Sequence, residues 1–466
     1  MNRTRKQAAS KLLRSVWSIH SLERAWRVIQ ENARSSLSSD VRKEVEEFSE
    51  NSTKNLKSIS SRLSAKSFQF KPAKGIPIPK KDAKGHVLQG KFRPIVLANV
   101  EARIVQRSIL DTLLGVPNLQ KFTQTNYSFG GIKKRSTEDI SAVPAAIQAA
   151  LHAIGDGANF VMCADIEKFF TKIPKASVST IVADAVRDNE FMELFERAIT
   201  IELSNLAELR EKATAFPIFD IGVAQGNSLS PLLGNILLHD FDEQMNAGDC
   251  RCIRYIDDFI LLAPSKKAAA TRMNRARELL AQFGMTLNVE KTTIEPLAVT
   301  QPFEFLGIEL NNGFLRPSER ARNKFLGSAQ EILIESRRAF REARAGKQIE
   351  KRQSLVATLK RLDGLMLGWG KHYKFCNDRE LLHKLDARVT SLLKAYFGEY
   401  SSFLSQVEVT QKRHALGIEL LGAIELKSLE WPKRATKQRA TTSSIQLLNN
   451  RKDDFHLKLD TQHPPG

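Results

Sequence analysis

Cysteine is scarce in this chain, with four residues in 466, and none of Cys163, Cys250, Cys252 and Cys376 stands in the paired spacing of a zinc site. A chain this long folds without disulfide staples, and so few thiols point to a reducing cytosol and a cytoplasmic protein. Cys250 and Cys252 fit packing at a strand edge. Long apolar runs are missing too. No uninterrupted one follows the basic N-terminus, so neither a signal peptide nor a membrane span is expected. Acidic residues are outnumbered: 52 Asp and Glu face 71 Lys and Arg, a formal charge of +19. That excess suits a polyanionic partner, with nucleic acid the first expectation, and the length leaves room for two or three domains.

The most informative stretch runs from Cys252 to Ala263, where Asp257-Asp258 stands between apolar, β-branched and aromatic residues. The pattern predicts two short strands joined by a tight Asp-Asp turn. Two adjacent carboxylates repel each other, so an enclosed turn of this kind calls for a divalent cation. A solvated turn is the plainer alternative. The remaining segments decide between the two.

Residues 1–66 are polar with a helical pattern, and Leu22, Trp26 and Ile29 fall on one face. A docked amphipathic helix and an RNA-binding extension are both compatible with it. From Phe70 onward, Ile76-Pro77-Ile78-Pro79 and Phe92-Arg93-Pro94-Ile95 flank a basic, Gly-containing turn, an irregular hairpin gathering Lys80, Lys81, Lys84, Lys91 and Arg93. Such cations neutralise a triphosphate, although a solvated loop has the same composition. Tyr127 to Asp139 pairs Gly130-Gly131 with Lys133, Lys134 and Arg135 and a Ser/Thr helix start, which lets backbone approach phosphate closely. Phe160–Cys163 reads as a strand running into Asp165, followed by a turn toward a helix; a helix-capping aspartate is the alternative. Residues 176–215 read as helices.

Gly222 to Pro231 is a Gly-, amide- and hydroxyl-bearing loop that opens a helix, with Ser228 or Ser230 as cap and Pro231 in the first turn. A helix is expected from Ser265 to about Phe283, then a turn and short strand over 284–292, and one further strand over 303–310. From Ser318 to about Tyr396 the pattern is helical, broken near Gly346 and again at Gly364, Gly368 and Gly370. Residues 318–400 carry 18 Lys/Arg against 10 Asp/Glu, which suits the backbone of a duplex. Beyond residue 400 an apolar patch, Leu416 to Leu426, precedes a polar tail expected to be partly disordered.

Asp165, Asp257 and Asp258, on separate segments with basic stretches on either side, make a coherent site for two divalent ions and nucleotidyl transfer. The ordered set Arg93-Pro94-Ile95, Phe129-Gly130, Asp165 to Phe170, Ala224 to Pro231, Tyr255 to Asp258, Leu287 to Lys291 and Phe305-Leu306-Gly307 resembles the fingers and palm of a reverse transcriptase. It is similar to the bacterial branch related to group II intron proteins and to antiphage enzymes of the unknown groups, and the likeness covers roughly residues 70–310.

The resemblance implies an α+β right-hand polymerase, with fingers and an antiparallel palm sheet followed by an α-helical thumb and a C-terminal extension. It divides the chain into a basic helical N-terminal extension (1–66), fingers (67–165, with part of 176–220), palm (160–310), thumb (315–400) and extension (401–466). It makes Asp165, Asp257 and Asp258 the catalytic acids, which with Ile166 hold two Mg²⁺ ions, Mn²⁺ being the alternative. Lys291 becomes the proton donor to pyrophosphate. Lys80, Arg93, Phe170, Gln225 and Gly226 contact the nucleotide, with Phe170 crowding a ribose 2′-hydroxyl and so favouring dNTPs. Primer and template fall to Tyr255, Ile256, Leu306, Gly307, Gly130, Lys133, Arg135, Trp369 and Tyr373.

Gly368 to Tyr373 looks like the thumb of group II intron proteins, while a Val-Thr-Gly after the palm, carried by retron enzymes, is not found. Neither an endonuclease-type Cys and His pattern nor an acidic RNase H constellation is evident. The implied function is an RNA-directed DNA polymerase working with a structured non-coding RNA and a DNA primer and product, in antiphage defence, with no membrane partner and with homo-oligomerisation open. A group II intron maturase, and a template-independent or protein-primed polymerase, are the rivals.

Overall fold

The computed structural model describes residues 11–425 except 35, 37, 82–85 and 132–139, together with 427 and 429. Lys84, Lys133, Arg135 and the tail beyond 429, about which expectations were stated above, lie outside the described residues. The chain divides into residues 1–417 and 418–466, and the described part of the second unit contains a single 3₁₀ turn, Leu421–Ala423. Among the described residues no helix is long and apolar enough to cross a membrane.

Four helices open the chain: α1 (Lys11–Trp17), α2 (Ile19–Arg34), α3 (Ser39–Glu50) and α4 (Ser52–Ser64). Leu22, Trp26 and Ile29 are buried, as their helical spacing requires. The hairpin β1 (Lys74–Lys81) and β2 (Val87–Leu97) follows, then α5 (Val100–Leu113), on which α1 and α2 pack. The hairpin is irregular as expected, with a register shift between Pro79 and Lys81.

Next come α6 (Ala142–Gly155), β3 (Phe160–Asp165), α7 (Lys175–Val186), α8 (Asn189–Ile199), α9 (Leu206–Leu209), α10 (Ser230–Leu237), α11 (His239–Met245), β4 (Arg251–Tyr255), β5 (Asp258–Ala263) and α12 (Lys266–Ala281). The short strand β6 (Leu297–Ala298) completes an antiparallel sheet of order β4-β5-β3-β6. Strand alternation sorts its side chains between two cores. Phe259, Leu261 and Ala263 join Met162, Ala164 and the α12 residues Met273 and Leu280 on one face. Ile260 and Leu262 join Val161 and the α6 residues Ala146 and Ile147 on the other. Covered on both faces, β5 needs no polar alternation, and Phe259 to Ala263 are all at most 1% exposed.

A second antiparallel sheet contains β7 (Phe303–Phe305), β8 (Ile308–Asn311) and β9 (Phe314–Pro317). Here the single strand expected over 303–310 is in fact a hairpin, because Leu306 and Gly307 both take positive φ (54° and 77°) and reverse the chain. The strand expected within 284–292 does not form either, and Leu287 makes only an isolated bridge to Ile166. The chain ends its first unit in α13 (Glu319–Arg344), α14 (Leu355–His372), α15 (Arg379–Leu404) and α16 (Val409–Leu416), sharing a core that includes Leu333, Phe340, Leu362, Tyr396 and Ala415. The break near Gly346 is present, but α14 runs unbroken through Gly364, Gly368 and Gly370. Each glycine costs a helix about 1 kcal/mol. Buried Thr358 and Leu362, with Leu365, Met366 and Trp369 packed on the same core, offset that cost.

In α4, Ile59 is fully buried in the main core. Truncating Ile59→Ala is expected to destabilise the chain by about 2–5 kcal/mol, read as a lower urea midpoint by circular dichroism. A midpoint equal to wild type would mean that the N-terminal helices contribute no packing to the body.

Candidate active site

Strand β3 ends at Asp165 and β5 begins at Asp258, and the antiparallel register pairs these two residues directly. The alternation that sends Cys163 and Ile260 to the α6 side sends both acids the same way. Cys163 lies near enough for the Asp258 charge to act on its thiol, which burial pushes up to about 12. Because β4 and β5 pair Tyr255 with Asp258, the loop of this hairpin is Ile256-Asp257, not the Asp-Asp turn expected. Of the two loop residues Ile256 alone has positive φ, 62°, a turn form whose first position normally takes glycine. A β-branched residue held there stores on the order of 1–3 kcal/mol of strain. The Asp257 carbonyl accepts a hydrogen bond from the Ile166 N–H at 2.9 Å, tying the loop to the end of β3.

The three acids therefore meet. Burial, then Asp257, then a hydrogen bond with Asp165, push Asp258 up to about 7. Asp257 is raised as well, by burial first and by Asp165 second, with Lys291 and Arg93 opposing. The Lys291 Nζ bonds the buried Asp165 carboxylate, the one positive group in direct hydrogen-bonded contact with an acid of the cluster among the described residues. Among those residues no set of three or more His, Cys, Asp or Glu side chains is arranged as a ready-made metal cage. The donor chemistry nonetheless fits a hard divalent cation: oxygen donors only, and three carboxyls whose charge Lys291 and Arg93 offset only in part.

Strand β2 brings Arg93 within electrostatic range of Asp257, and the Lys80 charge acts on Glu290. Lys91, grouped by sequence with the triphosphate cations, instead bonds both Glu290 oxygens, at 2.7 and 2.9 Å. That pair is exposed and contributes little to stability. The 225–226 loop lies along β2, with the Val96 N–H donating to the Gln225 carbonyl at 2.9 Å. A Cβ on Gly226 would stand 2.7 Å from the Val96 oxygen, so only glycine fits there. Opening α10, Pro231 stands in the first turn as expected, but neither serine caps it. Leu229 occupies the cap position, and Ser230 Oγ donates to the Ala224 carbonyl. Phe170 is half-buried against Phe169 and the main core.

Gly130 is packed on the Ile256-Asp257 loop, where a Cβ would come within 2.8 Å of the Ile256 nitrogen. Leu306, Gly307, Trp369 and Tyr373 form a second group. The Tyr373 hydroxyl lies 3.9 Å from where a Gly307 Cβ would stand, and Trp369 packs on Tyr373 and Phe325, both at 4.6 Å between ring centroids.

Sequence reasoning missed three residues beneath the loop. Arg254, fully buried, pairs with Asp242 of α11 and also reaches Asn235 of α10 and the Ile256 carbonyl. A charged residue between Ile253 and Tyr255 in an apolar strand was the available signal, since a buried charge needs a partner.

The raised pKa of Asp258 sets a pH dependence for the metal-free chain. Between about pH 4, where an unfolded aspartate ionises, and about 7, the folded state keeps a proton that the unfolded state has lost. The resulting stabilisation is complete at the low end of that window and lost as pH rises through it. In EDTA at about pH 8, Asp258→Asn is expected to melt above wild type, and the gap to narrow as pH falls through about 7 and to close at about pH 4. A gap that does not change with pH would contradict this electrostatic account.

A family model described as reverse transcriptase (RNA-dependent DNA polymerase) matches residues 78–310. Protein YkfC of Escherichia coli is 25% identical over 302 residues, covering 55% of this chain and 74% of YkfC. The putative COX1/OXI3 intron 2 protein of Saccharomyces cerevisiae is 25% identical over 190 residues, 41% of this chain but only 20% of that protein. Among solved structures, a chain of a partial Cas6-RT-Cas1–Cas2 complex aligns at 20% identity with a TM-score of 0.32, covering 59% of this chain and 43% of that one.

Proposed function

Because the chain belongs to the reverse transcriptase (RNA-dependent DNA polymerase) family, we propose that it extends a DNA primer with dNTPs on an RNA template, at the site formed by Asp165, Asp257 and Asp258. The observation that carries this reading is the direct pairing of Asp165 with Asp258 beside the Asp257 loop. In the reaction the primer 3′-oxygen forms a bond to the α-phosphorus as the bond from that phosphorus to pyrophosphate breaks. Two Mg²⁺ ions, or Mn²⁺ in their place, held by the three carboxylates and the Ile166 carbonyl, would promote loss of the hydroxyl proton and neutralise the leaving group.

The chain's own residues do the rest. Lys291 gives its Nζ proton to the departing pyrophosphate. Arg93 and Lys80 hold the triphosphate, Gln225 and Gly226 the base-pairing nucleotide, and Phe170 excludes a 2′-hydroxyl. Tyr255, Ile256 and Gly130 line the primer end, with Leu306, Gly307, Trp369 and Tyr373 further along the duplex. These assignments follow the family pattern and are supported by the groupings described above. Fingers, palm and thumb would correspond to residues 67–165, 160–310 and 315–400, with the outer segments at 1–66 and 401–466.

The +19 charge supports RNA binding without choosing the RNA; a structured non-coding RNA as the partner and an antiphage role in the cytoplasm belong to the same reading. Similarity to the yeast protein named as a putative COX1/OXI3 intron 2 protein favours a second reading, in which the chain holds intron RNA as a splicing cofactor. Sequencing of co-purified nucleic acid separates the two: cDNA of a short non-coding RNA supports the first, bound intron RNA without cDNA the second.

With Mg²⁺ and dNTPs on a primed RNA template, Asp257→Ala plus Asp258→Ala is expected to reduce extension at least 1,000-fold, an order-of-magnitude expectation for loss of the ion-holding acids, while salt-sensitive RNA binding persists. Extension that survives the double change would remove these acids from catalysis. Phe170→Val is expected to raise incorporation of rNTPs relative to dNTPs roughly 10-fold or more, the scale of discrimination set by one steric contact, measured by competing the two substrates. An unchanged ratio would mean that sugar selection lies elsewhere.

A further inference from the structure

Arg254 is the only fully buried arginine among the described residues, and it lies directly beneath the strained loop. Its guanidinium makes a two-pronged pair with Asp242, Nε to Oδ1 at 2.8 Å and Nη2 to Oδ2 at 2.6 Å. Its remaining nitrogen, Nη1, donates to the Ile256 carbonyl at 2.9 Å and to Asn235 Oδ1 at 3.2 Å. Asn235 in turn accepts from Ser128 Oγ at 3.1 Å and donates to the Gly130 carbonyl at 3.5 Å. Behind the pair, Asn246 donates to the carbonyls of Asp242 and Cys252, at 2.8 and 3.0 Å.

An ion pair this far from water is a poor source of stability, because well-packed apolar side chains in its place generally do as well or better. What the guanidinium supplies, and leucine cannot, is a rigid fork of directed N–H donors. One prong is fixed by α11 and another grips the carbonyl of the single loop residue held at positive φ. We propose that Arg254, anchored by Asp242 and Asn235, is the positioning residue of the catalytic loop. It orients the Ile256–Asp257 peptide and thereby the Asp257 carboxylate relative to Asp165 and Asp258. Through Asn235 the same network clamps Gly130 against that loop. The inference rests on the polymerase reading of the three acids.

The test compares full-length wild type, Arg254→Lys, Asn235→Ala and, as a control for stability alone, Ile59→Ala. Lysine keeps the charge on Asp242 but has no fork, so its ammonium cannot hold Asp242 and the Ile256 carbonyl together. Arg254→Lys is expected to lower kcat about 30-fold or more, with the KM for dNTP within twofold of wild type; Asn235→Ala moves in the same direction by several-fold. Hydrogen exchange in residues 253–260 should speed up in both variants, while residues 325–343 remain as in wild type. Ile59→Ala, destabilised elsewhere, should keep its kcat per folded molecule.

If Arg254→Lys does not fold, Asn235→Ala decides by the same two readouts. Undiminished kcat, a loss proportional only to the folded fraction, or unchanged local exchange overturns the proposal. A wild-type chain that extends no primer overturns the polymerase reading and this inference together. Active wild type beside an equally active Arg254→Lys overturns this inference alone.

Discussion

The antiparallel pairing of β3 on β5 is the constraint from which the site follows. A one-residue slip in that register would carry one of the two paired acids to the opposite face, and Asp165 and Asp258 would no longer meet. The slip is forbidden by burial on both sides. Each face of β5 fills a different core, so sliding the strand would place every side chain in a space built for its neighbour. Hydrophobic packing thus holds Asp165 and Asp258 together, and burial first, then the Asp257 charge and the contact with Asp165, raise the pKa of Asp258.

Cations surround this arrangement at graded distances. Lys291 touches Asp165, Arg93 acts on Asp257 without bonding it, and Lys91 is drawn to Glu290 one residue from Lys291. An exposed, screened pair such as Lys91–Glu290 is easily exchanged for another anion, whereas Arg254–Asp242, with both partners out of water, is permanent. On the proposed reading the exposed, exchangeable cations are the ones that would meet a triphosphate, while the fixed one lies beneath the loop whose backbone it holds.

Some expectations failed for a common reason. Gly364, Gly368 and Gly370 have the composition of a break, yet the packing of α14 against its neighbours outweighs their intrinsic cost. Leu287 to Lys291 looks like a strand, but its chain is committed to a single bridge with Ile166 and to presenting Lys291 to Asp165. In both places a long-range contact overrode a local preference.

The sequence by itself determined which residues could do chemistry: paired acids flanked by apolar strands, a third acid ending another strand, cations on a hairpin, and periodicities that placed most helices. Those are local properties, written in side-chain type and spacing. Only the tertiary structure decided that Asp165 faces Asp258, that the loop is Ile256-Asp257, and that Arg254 finds Asp242 from a different element. Register and buried pairing depend on free energies summed over separate elements, and Asp165 and Asp258, whose pairing makes the site, share no local window of the sequence.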